Sequence, residues 1–169
     1  MKNGAVQVIC GPGKGKTDMA VGCAVRALSD RKNVIMIQFL KGSLKPAKID
    51  HLKRLEPELK VFCFEKSSDF FEHLSEEEKA EERRNICNGL NFAKKVMTTG
   101  ECDLLILDEI LGIIDCGIMK AEDLIQYLEC RENELSVILT GKILPKELEG
   151  YVDVISVIEN LGIDKTEEE

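Results

Sequence analysis

The sequence predicts an α/β fold with a mainly parallel central sheet of about six strands flanked by helices. Two observations predict it. Apolar runs of strand length alternate along the chain with helical patterns, the signature of strands joined by helical crossovers. The first of these runs, Ala5-Val6-Gln7-Val8-Ile9, passes directly into Cys10-Gly-Pro-Gly-Lys-Gly-Lys-Thr17, a glycine-rich loop at the start of a helical pattern.

Taken in order, the strands fall at 4–10, 33–39, 60–65, 102–108, 135–141 and 152–158. A helix follows the loop from Thr17 to about Ser29, with Ala20, Ala24, Ala27 and Leu28 on its inner stripe. A shorter, lysine-rich helix is expected near Ala47–Leu55, ended by Pro57. Ser75-Glu-Glu-Glu78 reads as a capping box that opens a long helix to about Met97, stopped by Gly100. Lys120 to Arg131 forms another amphipathic helix. Residues 40–46 and 66–74 are polar and irregular and should lie at the carboxyl ends of strands, where open α/β sheets bind ligands.

The chain of 169 residues fits one domain, 1–169, with 160–169 as a frayed tail. A chain of this size buries about 70% of the surface its unfolded form exposes, so no staple is required. Seven cysteines without close pairing suit neither a disulfide framework nor a zinc site, and most are expected to be small core hydrophobes in a reducing cytosol. With no signal-type stretch and no long apolar run, the protein is expected to be soluble and cytoplasmic, without a membrane partner. The net charge of −8 argues against nucleic acid. The acidic runs Glu76–Glu78, Glu81-Glu82 and Glu167–Glu169 read as solvated surface. His51 and His73 lack partners at metal-ligand spacing and read as surface residues.

An acidic protein that binds an anion must supply positive charge locally, and the loop does so. Gly11, Gly13 and Gly15 let backbone N–H groups turn inward around phosphate oxygens; Lys14 and Lys16 bring charge; Thr17 offers a hydroxyl to Mg²⁺. The following helix points its positive dipole end at the same anion. The full nucleotide-loop pattern wants glycine at position 10 and finds Cys10. Cys102-Asp-Leu-Leu-Ile-Leu-Asp108-Glu109 is a buried strand ending in two carboxylates, the place from which such proteins hold Mg²⁺ opposite the threonine, and Asp108 is the candidate. Glu109 is open between base, metal contact and ribose contact. Ser136-Val-Ile-Leu-Thr140-Gly141-Lys142 is a further strand ending in a small polar residue, a glycine and a cation. Phe70-Phe71, between polar neighbours, reads either as core or as an apolar wall for a ligand.

This order of motifs resembles the ATP:corrinoid adenosyltransferases of the cob(I)alamin type that are built on a nucleotide loop. The resemblance is carried by Gly13-Lys-Gly-Lys-Thr17, by the helix Ala20-Val-Gly-Cys-Ala-Val-Arg26-Ala-Leu28, by Gln38-Phe39-Leu40-Lys41-Gly42, and by Leu107-Asp108-Glu109 with Thr140-Gly141. It runs to about Val157, and Gln-Phe-Leu-Lys-Gly is its most specific part. It implies a RecA-like fold and a reaction in which Co(I) of a reduced corrinoid attacks the 5′ carbon of ATP and releases triphosphate. It further implies catalytic duty for Lys16, Lys41 and Glu109, a metal site at Thr17 and Asp108, and ligand contacts from the loop, Arg26, Phe70, Phe71, Thr140, Gly141 and Lys142. A flavoprotein reductant and a homodimer are the remaining partners it suggests.

The chain departs from the family pattern in four places. Asp18 stands where a small hydroxyl residue is usual, Lys142 stands for arginine, tryptophan is absent, and the segment past Asn160 is short, with Leu161-Gly-Ile-Asp164 as its remnant. Two other readings share the loop: a small-molecule kinase or ATPase, and a paralogue that binds nucleotide or corrinoid without turnover.

Overall fold

The computed structural model describes residues 4–40, 51–64 and 71–162. Strands β1 (Val6–Cys10), β2 (Val34–Gln38), β3 (Leu59–Cys63), β4 (Leu104–Asp108), β5 (Ser136–Thr140) and β6 (Val154–Val157) alternate with helices α1 (Lys16–Ser29), α2 (Glu76–Thr99), α3 (Ile110–Asp115) and α4 (Ala121–Cys130). Short 3-10 turns occupy His51–Leu55, Phe71–His73 and Lys146–Tyr151. The six strands form one sheet in the order β3-β2-β4-β5-β1-β6, and every neighbouring pair is parallel.

A parallel sheet covered on both faces must be apolar on both, which is why β2 and β4 are buried throughout and read as apolar runs up to their last residues, Gln38 and Asp108. Alternate residues divide between two cores. Val34, Met36, Leu104, Ile106 and Ile138 face α1 and its Ala20–Ala24–Ala27 stripe. Ile35, Ile37, Leu105, Leu107, Val137 and Leu139 face the side carrying α2, α3 and α4. The small alanine side chains let α1 lie close against the sheet, so its first turn stands directly over the strand ends.

The capping box is present, with Ser75 and Glu78 bonded reciprocally, and these bonds hold the Glu78 carboxyl below the usual carboxylate range. Gly100 closes α2 in the left-handed conformation at φ 64°. Two expectations need correction. Glu82 is buried, at 4% exposure, because it falls on the inner stripe that continues through Ile86, Leu90, Ala93 and Met97. None of the seven cysteines is in a disulfide, and only Cys10 and Cys102 are buried; Cys63, Cys87 and Cys130 are exposed, the first ending an edge strand and the others on outward faces of helices. Burial pushes the Cys102 thiol up to about 12. Helix α3 was not anticipated, because its apolar residues continue the run of β4 without a polar break. Of the helix expected at Ala47–Leu55, residues 47–50 lie outside the described residues, and the remainder, His51–Leu55, is a 3-10 turn rather than an α-helix. Both histidines are exposed. No described helix is long and apolar enough to cross a membrane.

Helix α2 approaches the sheet through Gly89, where an added Cβ would lie 2.7 Å from ring atoms of both Phe39 and Phe64. Gly22 in α1, by contrast, has nothing within 4 Å of an added Cβ. The same substitution should therefore act with opposite sign at the two positions. Gly22→Ala should stabilise the protein by about 0.5–1 kcal/mol through helix propensity. Gly89→Ala should destabilise it by about 1–2 kcal/mol, overpacking against the phenylalanines outweighing that gain. Urea unfolding of the two variants checks the prediction, and a stabilising Gly89→Ala would show that the rings move aside freely.

Candidate functional site

The site is assembled at the carboxyl edge of the sheet, where β1, β5, β4 and β2 end side by side. Gln38 pairs in register with Asp108, Leu107 with Leu139, and Ile9 with Thr140. The strand order thus sets Gln38, Asp108 and Thr140 beside one another on the face that carries α1. The loop between β1 and α1 borders them.

Within the loop, Cys10 is the last residue of β1 and is buried, so the missing first glycine of the pattern falls where an extended strand residue is accommodated. The left-handed turns come at Gly11 (φ 110°) and Gly15 (φ 105°). Gly13 is required by close approach: its added Cβ would lie 2.7 Å from the carbonyl oxygen of Ile158. Gly15 caps α1 and offers no side-chain bond, which leaves the first-turn N–H groups of the helix directed along its axis at the loop. Lys16 folds back into the loop, where Nζ donates to the carbonyls of Gly11 (2.9 Å) and Gly13 (2.7 Å).

The loop's outer side is held by the later part of the chain. Gly11 N–H donates to Lys142 O (3.0 Å) and Gly13 N–H to Ile158 O (2.8 Å). Lys14 N–H donates to Asn160 Oδ1 at 2.6 Å. The Lys14 side chain is exposed, as are Asp18 in the first turn of α1 and Lys142 after β5.

Asp108 is the hub. It has no exposed surface, and its carboxylate accepts hydrogen bonds from three elements. The Thr17 hydroxyl lies 3.1 and 3.2 Å from Oδ1 and Oδ2, Thr140 Oγ1 lies 2.7 Å from Oδ1, and Gln38 Nε2 lies 2.9 Å from Oδ2. Thr140 in turn accepts the N–H of Glu109 at 2.9 Å. Charge-assisted bonds of this kind offset the cost of removing a carboxylate from water. Burial also raises the Cys10 thiol pKa, against the opposing pull of the Lys16 charge.

Glu109 caps α3 in the left-handed region at φ 64°, and Leu40, after β2, is there too at φ 46°. Each such residue costs on the order of 1–3 kcal/mol and tends to persist at sites of function. The two meet at Gly112, whose added Cβ would lie 3.3 Å from both Glu109 Oε2 and Leu40 Cδ1. Gly141 is equally constrained, since any side chain there would run into Leu111.

The structure therefore brings together Gly11, Gly13, Lys14, Gly15, Lys16, Thr17, Asp108, Glu109, Thr140, Gly141 and Lys142. It does not bring Arg26 to them: that residue is exposed in the last turn of α1, about 15 Å along the axis from Lys16. Phe71 is half-buried in its 3-10 turn with the Arg83 guanidinium 5.7 Å from its ring centre. Lys41 and Phe70 lie outside the described residues. Two contributors were not assigned from sequence. Gln38 had a signal, a polar residue closing a wholly apolar strand beside the acidic one. Asn160 had none, because its contact with the loop spans 146 residues.

Comparison with known proteins bears on the family and the fold. The sequence model of the family ATP:corrinoid adenosyltransferase BtuR/CobO/CobP matches residues 2–162. The corrinoid adenosyltransferase of Escherichia coli K12 is 26% identical over 92% of this chain and 76% of its own length. The corrinoid adenosyltransferase CobA of Salmonella typhimurium is 27% identical with the same coverage. An uncharacterized protein of Nostoc sp., all2391, is 27% identical over 98% of this chain, which spans 46% of that protein's length. Among solved structures, the KaiC-like protein PH0186 of Pyrococcus horikoshii superposes with a TM-score of 0.59 at 15% identity, covering 96% of this chain and 75% of that one. The likeness extends the RecA-like nucleotide-loop fold to this chain. With a family match running almost from end to end, the chain belongs to the ATP:corrinoid adenosyltransferase family.

Proposed function

We propose that this protein transfers the 5′-deoxyadenosyl group of ATP to Co(I) of a corrinoid, cobalamin or a precursor, with release of inorganic triphosphate. The single observation that supports the reading most is the contact of Thr17 with Asp108 at the mouth of the glycine loop, beside Lys16. In the reaction, the cobalt lone pair attacks the 5′ carbon; the cobalt–carbon bond forms as the C5′–O bond breaks, and the triphosphate leaves with the electron pair. No proton moves in this step, so no general base is required. The protein's task is to hold a highly charged leaving group, and Lys16, the first-turn N–H groups of α1 and Lys41 are the groups assigned to it.

The Thr17 hydroxyl and the Asp108 carboxylate fit Mg²⁺, which takes hard oxygen donors, keeps several waters and is completed by substrate phosphates. Among the described residues no group of three or more His, Cys, Asp or Glu forms a closed metal cage. When bound there, the ion would neutralise charge on the departing triphosphate. Thr17 would turn a lone pair to it while Thr140 and Gln38 keep Asp108 in place. Because no base is needed, Glu109 is assigned as a nucleotide contact. Phe70 and Phe71 are assigned as the apolar wall that covers the corrin face and excludes an axial water from cobalt, which eases reduction of Co(II). A flavoprotein would supply that electron in the cytoplasm, and a homodimer is the proposed assembly. The assignment of Arg26 to ligand binding rests on the resemblance alone.

Three outcomes test the proposal. Lys16→Ala should weaken ATP binding by about 1.5–3 kcal/mol, the range for charge-assisted hydrogen bonds, and calorimetry returning an unchanged affinity would remove the loop from the nucleotide site. Incubation with reduced cobalamin, ATP and Mg²⁺ should give a light-sensitive adenosylated corrinoid together with triphosphate; ADP or orthophosphate alone would make the protein a kinase or ATPase, and no product with ATP still bound would make it a carrier. Phe71→Ala should lower adenosylation several-fold when Co(II) must be reduced on the enzyme and far less when Co(I) is supplied ready-made. Equal losses in the two assays, with a lowered Tm, would place the ring in the core instead.

A further inference from the structure

We infer that Gln38 is a positioning residue of the nucleotide site: its amide N–H fixes the Asp108 carboxylate, and its carbonyl oxygen is the acceptor for a water of the magnesium shell. This rests on the metal duty of Thr17 and Asp108 proposed above.

Gln38 ends β2 after four apolar residues and is 2% exposed. Its register partner is Asp108, and its Nε2 donates to Oδ2 at 2.9 Å. That bond decides which way round the amide sits, because the reversed amide would set two acceptor oxygens against each other. Oε1 consequently turns away from the carboxylate, and it is buried with no hydrogen-bond partner among the described residues. A buried acceptor left unmet destabilises the fold that contains it, and such groups are rare enough to require a reason.

The neighbouring chemistry supplies one. Of the donors to Asp108 described above, Thr17 is also a candidate metal ligand. Once its hydroxyl is shared with an ion, Gln38 and Thr140 continue to hold the aim of the carboxylate. Magnesium dehydrates reluctantly, and its retained waters are strong donors that need acceptors close to the ion. An amide can donate to Asp108 and accept from such a water at the same time without adding charge. Glutamate would set a second negative charge against Asp108, and an apolar residue would do neither job. Gln38 would then act on the ion through others, as partners outside the ligand set commonly do.

The test uses Gln38→Met, close in length but without either group, and Gln38→Leu should the first fail to fold. ATP affinity is measured in EDTA, Mn²⁺ affinity of the ATP complex is measured by electron paramagnetic resonance, and Tm is recorded. The expected result is metal-free ATP affinity within about twofold of the parent, Mn²⁺ affinity lower by roughly 10- to 100-fold, and a lowered Tm, since the loss of a donor to the buried Asp108 carboxylate outweighs the removal of an unmet acceptor. A folded variant with parental Mn²⁺ affinity overturns the inference. So does an equal loss of ATP affinity with and without metal, which would put Gln38 on the nucleotide or the loop. If the parent protein itself binds ATP but no Mn²⁺, the metal assignment of Thr17 and Asp108 falls first and this inference with it.

Discussion

A carboxylate wholly removed from water must find its donors inside the protein, and Asp108 finds them on three separate elements: Gln38 at the end of β2, Thr140 at the end of β5, and Thr17 in the first turn of α1. Each bond fixes one element's end relative to β4. Thr140 passes the constraint on, since it also holds the N–H of Glu109 and so the start of α3. The functional edge of the sheet is therefore one connected set of bonds. Loss of any donor would leave part of a buried charge unmet, which is why such a hub resists piecemeal change.

The hub can exist only because of the strand order. The chain leaves β1, crosses over two strand positions to form β2, and later fills those positions with β4 and β5. Residues distant in sequence thereby become lateral neighbours: Gln38 and Asp108 are 70 positions apart, and Asp108 and Thr140 are 32 apart. Parallel pairing puts every one of these strand ends at the same edge, and α1, lying close through its alanine stripe, brings Thr17 to meet them.

The sequence was most legible where physics is local. The loop residues Gly11 to Thr17, the capping box at Ser75 and Glu78, the stop at Gly100 and the apolar strands all announce themselves within a few positions. Glu109 and Asp108 were legible as a strand-end pair, but their different fates were not: Asp108 turns inward and Glu109 takes a left-handed conformation that only the fold imposes. Helix α3 escaped because Ile110 to Ile114 prolongs the apolar run of β4, and periodicity cannot divide such a run. Glu82 escaped because its neighbours are acidic, although its spacing from Ile86 and Gly89 places it on the inner stripe. Asn160 could not be found, since its meaning depends on β6 lying beside β1.

That adjacency bears on what a glycine-rich loop records. Of its three glycines, Gly15 has open space around it and is demanded by its backbone angle alone. Gly13 has no unusual angle and is demanded by the carbonyl of Ile158 pressing on it from β6's exit. Gly11 answers to both. A motif usually read as a statement about phosphate is here partly a statement about neighbours. In a relative whose last strand ran elsewhere, position 13 would be free to carry a side chain while position 15 would not, so the spacing of glycines along such a loop encodes the sheet's edge as well as its ligand.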